Sequence, residues 1–359
     1  MHRDCFDYHR SNSTVSLASY VRQKRIALGI AVTSTCRVYL DQRFWILLRD
    51  VAIGRRKDSD LVQLLEYLRS RVEQGKLVCP ISESVFIELL KQSDVSTRKA
   101  TAQLIDDLSH GVTLIPHHER VAQELCNSFY SLSGATDIIP LQQLVWTKLP
   151  YLLGETHPTK TPFAPNEELV IQKAFFEHMW GISLGEMVSI IGDPPDTGAD
   201  WQRLAANLNA QNRAHYSELR SFPHAFRVEF EGALSLFHDE MIQLVTELQE
   251  RGYNDVGSSM RNLSDKKRFN TFAASIPTLH IGALCHAAVR WDQKRNLEDN
   301  DFIDFHHAEA AVGYCSVFLT EKPLHDLLSQ NHLNIQETHE CRIFWEADSA
   351  LRFLQEQKG

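Results

Sequence analysis

Five acidic residues are placed where they could serve a metal-assisted reaction. They are Asp41, Glu88, Asp301, Asp304 and Glu321. Two of them directly follow strand-like runs, and the other three lie on helix-like segments that adjoin such runs. Because ligands gather at the carboxyl ends of the strands in an open α/β sheet, we expect these side chains to converge on one edge. Converging carboxylates repel one another unless a cation lies among them.

Carboxylates grouped in this way predict a metal site. Hard divalent cations such as Mg²⁺ and Mn²⁺ take oxygen ligands. Ions of this kind activate water and offset the charge on the leaving oxygen when a phosphodiester is hydrolysed. The residues therefore predict metal-assisted phosphodiester hydrolysis, with Asp41, Glu88 and Asp304 as ligands. Either Asp301 or Glu321 would complete the site.

Each of these acids also has a simpler structural explanation. Asp301 and Asp304 could cap a helix and complement its dipole. Glu88 could be a solvated helix acid that pairs with a lysine three residues further on. Asp41 and Glu321 could be a loop residue and a turn residue. The metal site is favoured because all five positions occur together with the strands and helices in the required order.

Substrate contacts are predicted from basic and hydroxyl side chains. Lys and Arg contact phosphate without reading sequence. Among the basic clusters, the run "DQKR" at 292–295 is nearest in sequence to the acidic helix, so Lys294 and Arg295 are the predicted phosphate contacts. Ser82 and Thr320 are predicted to hydrogen-bond near the site, although Ser82 could simply cap the helix that follows it.

Two adjacent histidines, His306 and His307, suggest a metal-ligand or general-base role. The chain contains 17 histidines, so an adjacent pair is expected by chance. Neighbouring residues of a helix point in different directions. We therefore expect one ring to face the core and the other to face solvent.

Composition limits the class of protein. The 359 residues are 43% hydrophobic and 23% charged, with a formal net charge of −9, which is ordinary for a globular protein. Proteins that coat duplex nucleic acid are usually basic, so the negative net charge does not indicate nucleic-acid binding. It does not exclude a local basic groove on an acidic protein. No apolar run reaches the roughly 18 residues of a membrane span. The seven cysteines form no C-x-x-C pair, so we expect reduced thiols, no membrane partner and a cytoplasmic location.

Short apolar runs separated by amphipathic segments predict the fold class. The strand-like runs are 36–40, 76–79, 112–115, 316–320 and 341–345. Each is bounded by polar or turn residues, as strands buried in a parallel sheet are. Helix-like segments alternate with them, for example 58–75, where apolar residues recur with helical spacing. The sequence therefore predicts an α/β fold with a short central parallel sheet.

The strand-like runs fall in two groups that lie far apart along the chain. We expect a helical N-terminal arm at 1–33 and the first part of the α/β domain at 34–116. Residues 117–300 show almost no strand signal and predict a large all-α insertion. The second part of the α/β domain is predicted at 301–359.

These motifs resemble the PIN domain, a family of small α/β nucleases with an acidic metal site. The resemblance is carried by "VYLD" ending at Asp41, by "ISESVFIELL" containing Glu88, and by "DFHHAEAAVGYCSVFLT" beginning at Asp304. The six-residue step from Ser82 to Glu88 and the sixteen-residue step from Asp304 to Thr320 match the family pattern. The resemblance covers about 140 residues in two pieces and implies a PIN-like three-layer domain.

The chain departs from the family pattern in two respects. The family usually places a further acid or Asn two residues after the threonine, but that position here is Lys322, and the acid Glu321 comes one residue earlier. The interval from Glu88 to Asp304 is also far longer than in compact members. The identity of the fourth ligand therefore stays open between Asp301 and Glu321.

The resemblance implies a divalent-metal-dependent nuclease, with Mg²⁺ or Mn²⁺ as cofactor and single-stranded RNA favoured over DNA. The helical insertion could clamp substrate, form a homo-oligomer or bind a regulatory protein, in a toxin-like or phage-defence setting. A catalytically inactive PIN-like module that binds protein or nucleic acid is the alternative. A phosphoesterase acting on a small substrate is a third possibility.

Overall fold

Four parallel strands form the sheet that carries the predicted acidic edge. The computed structural model describes residues 3–191, 200–253, 265–292 and 294–356. The strands are β1 (Cys36–Leu40), β2 (Leu77–Val78), β3 (Val112–Leu114), β4 (Trp146–Lys148), β5 (Val317–Leu319) and β6 (Arg342–Phe344). The hydrogen-bonded order of the parallel sheet is β2-β1-β5-β6. A strand forms in each of the five predicted runs, and a short parallel sheet is confirmed, but the strand at 112–114 lies outside that sheet and pairs antiparallel with β4.

The rest of the described chain is mostly helical. The α-helices are α1 (Arg3–Ser11), α2 (Leu17–Thr33), α3 (Gln42–Ala52), α4 (Ser59–Glu73), α5 (Glu83–Leu90), α6 (Val95–Ser109), α7 (His117–Leu132), α8 (Pro165–Trp180), α9 (Leu184–Ile191), α10 (Trp201–Ala214), α11 (Phe222–Ser235), α12 (His238–Glu250), α13 (Lys266–Ala274), α14 (Pro277–Trp291), α15 (Asp301–Tyr314), α16 (Lys322–Leu328), α17 (Ile335–His339) and α18 (Ala347–Glu356). Short 3₁₀ turns occur at Leu141–Gln143, Leu149–Tyr151 and Tyr216–Glu218.

Helical periodicity explains how α4 forms. Its buried residues are Leu61, Leu64, Leu65, Leu68 and Val72. Positions three and four apart lie on one face of an α-helix, so these side chains form a single apolar stripe. The predicted helix at 58–75 is confirmed.

The chain divides into two compact units. The first comprises Met1–Arg37, Trp45–Pro116 and Gln142–Pro194, and the second comprises Val38–Phe44, His117–Leu141 and Pro195–Gly359. The predicted insertion at 117–300 thus contributes to both units. Its residues 192–199 and 254–264, together with Gln293 of the predicted phosphate-contact run, lie outside the described residues. The predicted domain boundaries stay predictions.

In the first unit, α2 packs against α8 and β4. Tyr20 and Val21 of α2 share an apolar cluster with Tyr151 and with Phe176 of α8. Gly29 lets α2 approach the main chain closely, because a Cβ there would lie 2.1 Å from the carbonyl oxygen of Gln143. Cys36 and Arg37 of β1 pair with β2 in this unit.

One strand of the first unit was not predicted. β4 pairs antiparallel with β3, and both Trp146 and Thr147 are buried. The expectation that the insertion would be wholly helical is therefore wrong at 146–148. The residues Trp146–Lys148 do not form a continuous apolar run of the kind by which the other strands were recognised.

In the second unit, α14 is the central helix and packs against α11 and α15. Most of its residues are buried, including Leu279, Ile281 and Ala287. Val38–Leu40 of β1 pair with β5, and β5 pairs with β6, all in parallel register. α15 leads directly into β5, as the sequence predicted.

No single described helix is both long and apolar enough to cross a membrane. The bent pair formed by Lys266–Ala274 and Pro277–Trp291 passes the test of length and composition only when the two helices are taken together.

Candidate acidic site at the carboxyl edge of the sheet

Asp41 lies at the point where β1 ends and α3 begins. Its side chain is only 6% exposed, and Oδ1 accepts the N–H of Phe44 at 3.0 Å, so Asp41 caps α3. Its own N–H donates to the carbonyl oxygen of Leu319 at 3.1 Å, which joins the ends of β1 and β5. A carboxylate offers about four lone-pair positions, so a single capping bond leaves acceptor capacity. Asp41 therefore caps a helix instead of being the simple loop residue of the alternative explanation, and one capping bond does not use all the acceptor positions of the carboxylate.

Thr320 and Glu321 follow β5 at the same edge. Thr320 is buried, and its N–H donates to the carbonyl oxygen of Phe344 at 2.9 Å. Its Oγ1 makes no hydrogen bond of ordinary geometry to any described residue. Glu321 is exposed and stands at the N-cap position of α16, without a side-chain capping bond.

Burial raises the pKa of Asp41 to about 6. The N–H of Phe44, the charge on His307 and the nearby hydroxyl of Thr320 oppose this rise, whereas the charge on Glu321 adds to it. The buried carboxylate is therefore short of positive partners. A cation bound at this edge would supply the positive charge that the surrounding protein atoms do not provide.

His307 links α15 to this edge. The ring is buried, and Nδ1 lies 2.8 Å from the hydroxyl oxygen of Tyr39 in β1. His306, by contrast, has a side chain that is 40% exposed. The prediction that one of the two adjacent histidines faces the core and the other the solvent is confirmed. Sequence reasoning did not assign His307 to the site.

Asp304 lies in the first turn of α15 and is partly exposed. Residues three apart are neighbours on one face of a helix, so Asp304 and His307 project from the same side of α15. This spacing was the available signal for His307. The structure thus brings Asp41, Thr320, Glu321 and His307 together and places Asp304 on the helix face that His307 occupies.

Asp301 is held by protein groups. Its Oδ1 lies 2.6 Å from Nη2 of Arg295, and its Oδ2 accepts the N–H of Glu298 at 2.8 Å. The predicted roles of Asp301 as a metal ligand and Arg295 as a phosphate contact both compete with this ion pair. The geometry favours the structural explanation for these two residues. Lys294 is exposed.

Glu88 and Ser82 belong to the first unit. Ser82 is the N-cap residue of α5 and is buried, but it makes no side-chain capping bond. Glu88 lies in the last turn of the same helix and is partly exposed. Their predicted part in the site stays a prediction.

The edge in the second unit presents oxygen atoms of the kind that a hard divalent cation takes. Asp41 and Glu321 offer carboxylate oxygens, and the buried hydroxyl of Thr320 lies near the carboxylate of Asp41. The two groups of three described residues whose ligand atoms lie within 4.8 Å of one another do not include these acids. Mg²⁺ and Mn²⁺ prefer such oxygen donors, and Mg²⁺ usually retains several waters beside one or two carboxylates.

Comparison with known proteins identifies no relative. No protein-family model, no curated protein and no solved structure matches this chain. Conclusions about function therefore depend on the residues and their geometry.

Proposed function

We propose that this chain is a divalent-metal-dependent nuclease with a PIN-like fold, and that Mg²⁺ or Mn²⁺ binds at the acidic edge. One observation carries the proposal. The main-chain hydrogen bond between Asp41 and Leu319 joins the ends of two parallel strands. It places the buried Asp41 carboxylate beside Thr320 and Glu321, at the edge where open α/β sheets bind ligands.

The residues have separate roles in this proposal. Asp41 is the principal ligand, and its bond to Phe44 fixes the orientation of the carboxylate. Asp304 and Glu321 supply further oxygens from α15 and from the end of β5. His307 is a positioning residue, because its bond to Tyr39 ties α15 to β1. When bound, the cation would lower the pKa of a water molecule and offset the charge on the phosphodiester.

Single-stranded RNA is the proposed substrate, as the PIN resemblance implies. Lys294 is exposed and stays the proposed phosphate contact, whereas Arg295 is engaged with Asp301. Exposed lysines contact phosphate as point charges, without reading sequence. The helices of 117–300 are the proposed surface for a regulatory protein or a second copy of the chain.

A non-catalytic nucleic-acid-binding module is the second candidate, and a specific observation favours it. A cavity of about 330 Å³ in the second unit is lined by Arg213 and Asn209, by Asp292, and by two arginines that are already paired, Arg290 with Glu229 and Arg295 with Asp301. Guanidinium and amide groups suit phosphate and base edges. Because Asp301 is already paired, the acidic edge also has fewer available ligands than predicted.

The test is cleavage of labelled single-stranded RNA and DNA by the purified chain in Mn²⁺, in Mg²⁺ and in EDTA. Asp41→Asn and Asp304→Asn are the diagnostic variants. Glu298→Gln is the matched control, because Glu298 is an exposed acid of the same segment whose carboxylate has no assigned role. We expect metal-dependent cleavage that both diagnostic variants lose by more than about a hundredfold and the control retains.

Other outcomes separate the candidates. Cleavage that survives in both diagnostic variants would reject the acidic edge as the active site. Nucleic-acid binding without any cleavage would favour the binding module. Metal-dependent cleavage of DNA in preference to RNA would support the proposed active site but would show that the substrate is DNA.

A further inference from the structure

A second group of potential metal ligands lies in the second unit, away from the acidic edge. His117 is the first residue of α7, and His306 and Glu309 are on α15. One nitrogen of each ring and one carboxylate oxygen lie within 4.8 Å of one another. The imidazole rings meet edge to face, with centroids 4.9 Å apart.

A single oxygen atom faces both rings. Oε2 of Glu309 is 3.2 Å from Nε2 of His117 and 3.0 Å from Nδ1 of His306. Ligands about 2.0–2.1 Å from a tetrahedral Zn²⁺ are separated from one another by roughly 3.3 Å. The two oxygen–nitrogen distances therefore match the separation of ligands in a zinc coordination shell, and all the ligand atoms of the group lie within 4.8 Å of one another. A metal-free arrangement would instead need a proton on each of the two nitrogens, both directed at the same oxygen.

The surroundings hold Glu309 in place and leave the histidines accessible. Glu309 has a side chain that is only 10% exposed, whereas those of His117 and His306 are 25% and 40% exposed. Gly282 of α14 makes room for the carboxylate, because a Cβ there would lie 2.2 Å from Oε1. One side of the cluster is thus open to solvent, as a site with three protein ligands and a fourth position for water requires.

The cluster is separate from the proposed nuclease site. Each residue advances about 100° around a helix, so His306 and Glu309 point about 140–160° away from Asp304. Among the described residues, no lysine or arginine pairs with Glu309. In the part of the chain that the structure describes, its ion-pair partners are the two histidines, and neutral imidazole is a metal ligand.

A comparable group in the first unit shows the contrast. Cys5, His9 and Glu177 also have ligand atoms close together. However, Glu177 forms an ion pair with Lys24 at 3.2 Å and also accepts hydrogen bonds from Tyr20 and Cys5. A lysine already supplies the positive charge there, so a metal ion would have to displace it.

We propose that His117, His306 and Glu309 form a binding site for a first-row transition-metal ion, with Zn²⁺ as the best fit. Imidazole nitrogens and one carboxylate suit Zn²⁺ better than Mg²⁺, which prefers oxygen ligands. The bound ion would connect the start of α7 to the middle of α15. This inference does not depend on the proposed nuclease activity.

The experiment measures Zn²⁺ binding to the metal-free full-length chain by calorimetry, with excess Mg²⁺ present to occupy the acidic edge. The variants are His306→Asn and Glu309→Gln. His118→Asn is the matched control, since His118 is the next residue of α7, is 68% exposed and pairs with Glu240 instead. We expect about one equivalent of Zn²⁺ in the wild type and the control, and affinity at least about tenfold weaker in both ligand variants.

The outcomes are distinguishable. Because Glu309 is buried, Glu309→Gln could fail to fold. In that case the result for His306→Asn decides between the outcomes, since the side chain of His306 is partly exposed. Unchanged Zn²⁺ affinity in His306→Asn would overturn the proposal. Loss of Zn²⁺ binding in Cys5→Ser would also overturn it, because the ion would then bind at Cys5, His9 and Glu177. Zn²⁺ binding that persists in an Asp41→Asn, Asp304→Asn double variant would separate this site from the nuclease site, whatever the fate of cleavage.

Discussion

Two carboxylates of the second unit are buried to a similar degree but are surrounded very differently. Glu124 of α7 is fully buried, and its two oxygens accept the N–H of Thr278 at 3.2 and 3.1 Å. They also accept the hydroxyls of Thr278 and Tyr314. Asp41 has one protein N–H donor of ordinary geometry, from Phe44.

Burial raises both pKa values, to about 7 for Glu124 and about 6 for Asp41. The acceptor capacity of Glu124 is used by protein donors, and Arg120 adds a positive charge nearby. Such a satisfied network specifies how helices pack. Asp41 retains acceptor capacity at a sheet edge, where a ligand can use it. A buried carboxylate is therefore a candidate for function when protein hydrogen-bond donors occupy only part of its acceptor positions.

Removing the satisfied carboxylate should have the largest effect. We expect Glu124→Ala to lower the free energy of unfolding by about 3–5 kcal/mol, because Tyr314 and Thr278 would be left buried without their acceptor and Arg120 without the nearby negative charge. Denaturant unfolding measures this change. Gln123→Ala on the same helix is the control and should change stability by less than about 0.5 kcal/mol. A small loss for Glu124→Ala would mean that the network does not hold the helices together.

The protonation of Glu124 gives a smaller effect with a definite sign. Burial raises the pKa of Glu124 from its ordinary value of 4.5 to about 7 in the folded chain. The folded state therefore binds more protons between these values, and the contribution of Glu124 to stability falls as the pH rises through them. Glu124→Gln does not titrate. We expect the variant to gain up to about 3 kcal/mol relative to wild type between pH 4.5 and pH 8. If the stabilities of the wild type and of Glu124→Gln changed in parallel with pH, the raised pKa of Glu124 would be contradicted.

Asp41→Asn should have the smallest effect on stability. Asn caps helices about as well as Asp, so we expect a change of about 1 kcal/mol or less. The same substitution should abolish stabilisation by Mn²⁺, which thermal unfolding with and without the ion would show. If Asp41→Asn lowered the free energy of unfolding as much as Glu124→Ala does, Asp41 would be a structural carboxylate like Glu124, and the two sites would not differ in role.

Sequence patterns predicted the elements well because local features determine them. The five strands are short apolar runs, and the buried stripe of α4 has helical spacing. Asp41 and Glu321 could be placed at strand ends for the same reason. β4 was missed because its residues, Trp146, Thr147 and Lys148, do not form an apolar run.

Tertiary partners could not be predicted in this way. Nothing local distinguishes Glu124 from an exposed acid of an amphipathic helix, since Thr278 and Tyr314 come from distant segments. The pairing of Arg295 with Asp301 depends on how the intervening loop turns. His117 and Glu309 are likewise far apart in the sequence, and their contact is a property of the packed helices.

The bond between Asp41 and Leu319 also has a consequence for biosynthesis. Its two ends lie almost the whole described chain apart, so the edge is closed by one of the longest loops that the fold contains. Contacts between distant segments form late, and nascent domains fold as their segments emerge. A ribosome must therefore translate past Glu321 before Asp41 acquires its neighbours. A chain that is interrupted before β5 lacks the assembled edge, so any activity that depends on the edge begins only after β5 has been synthesised.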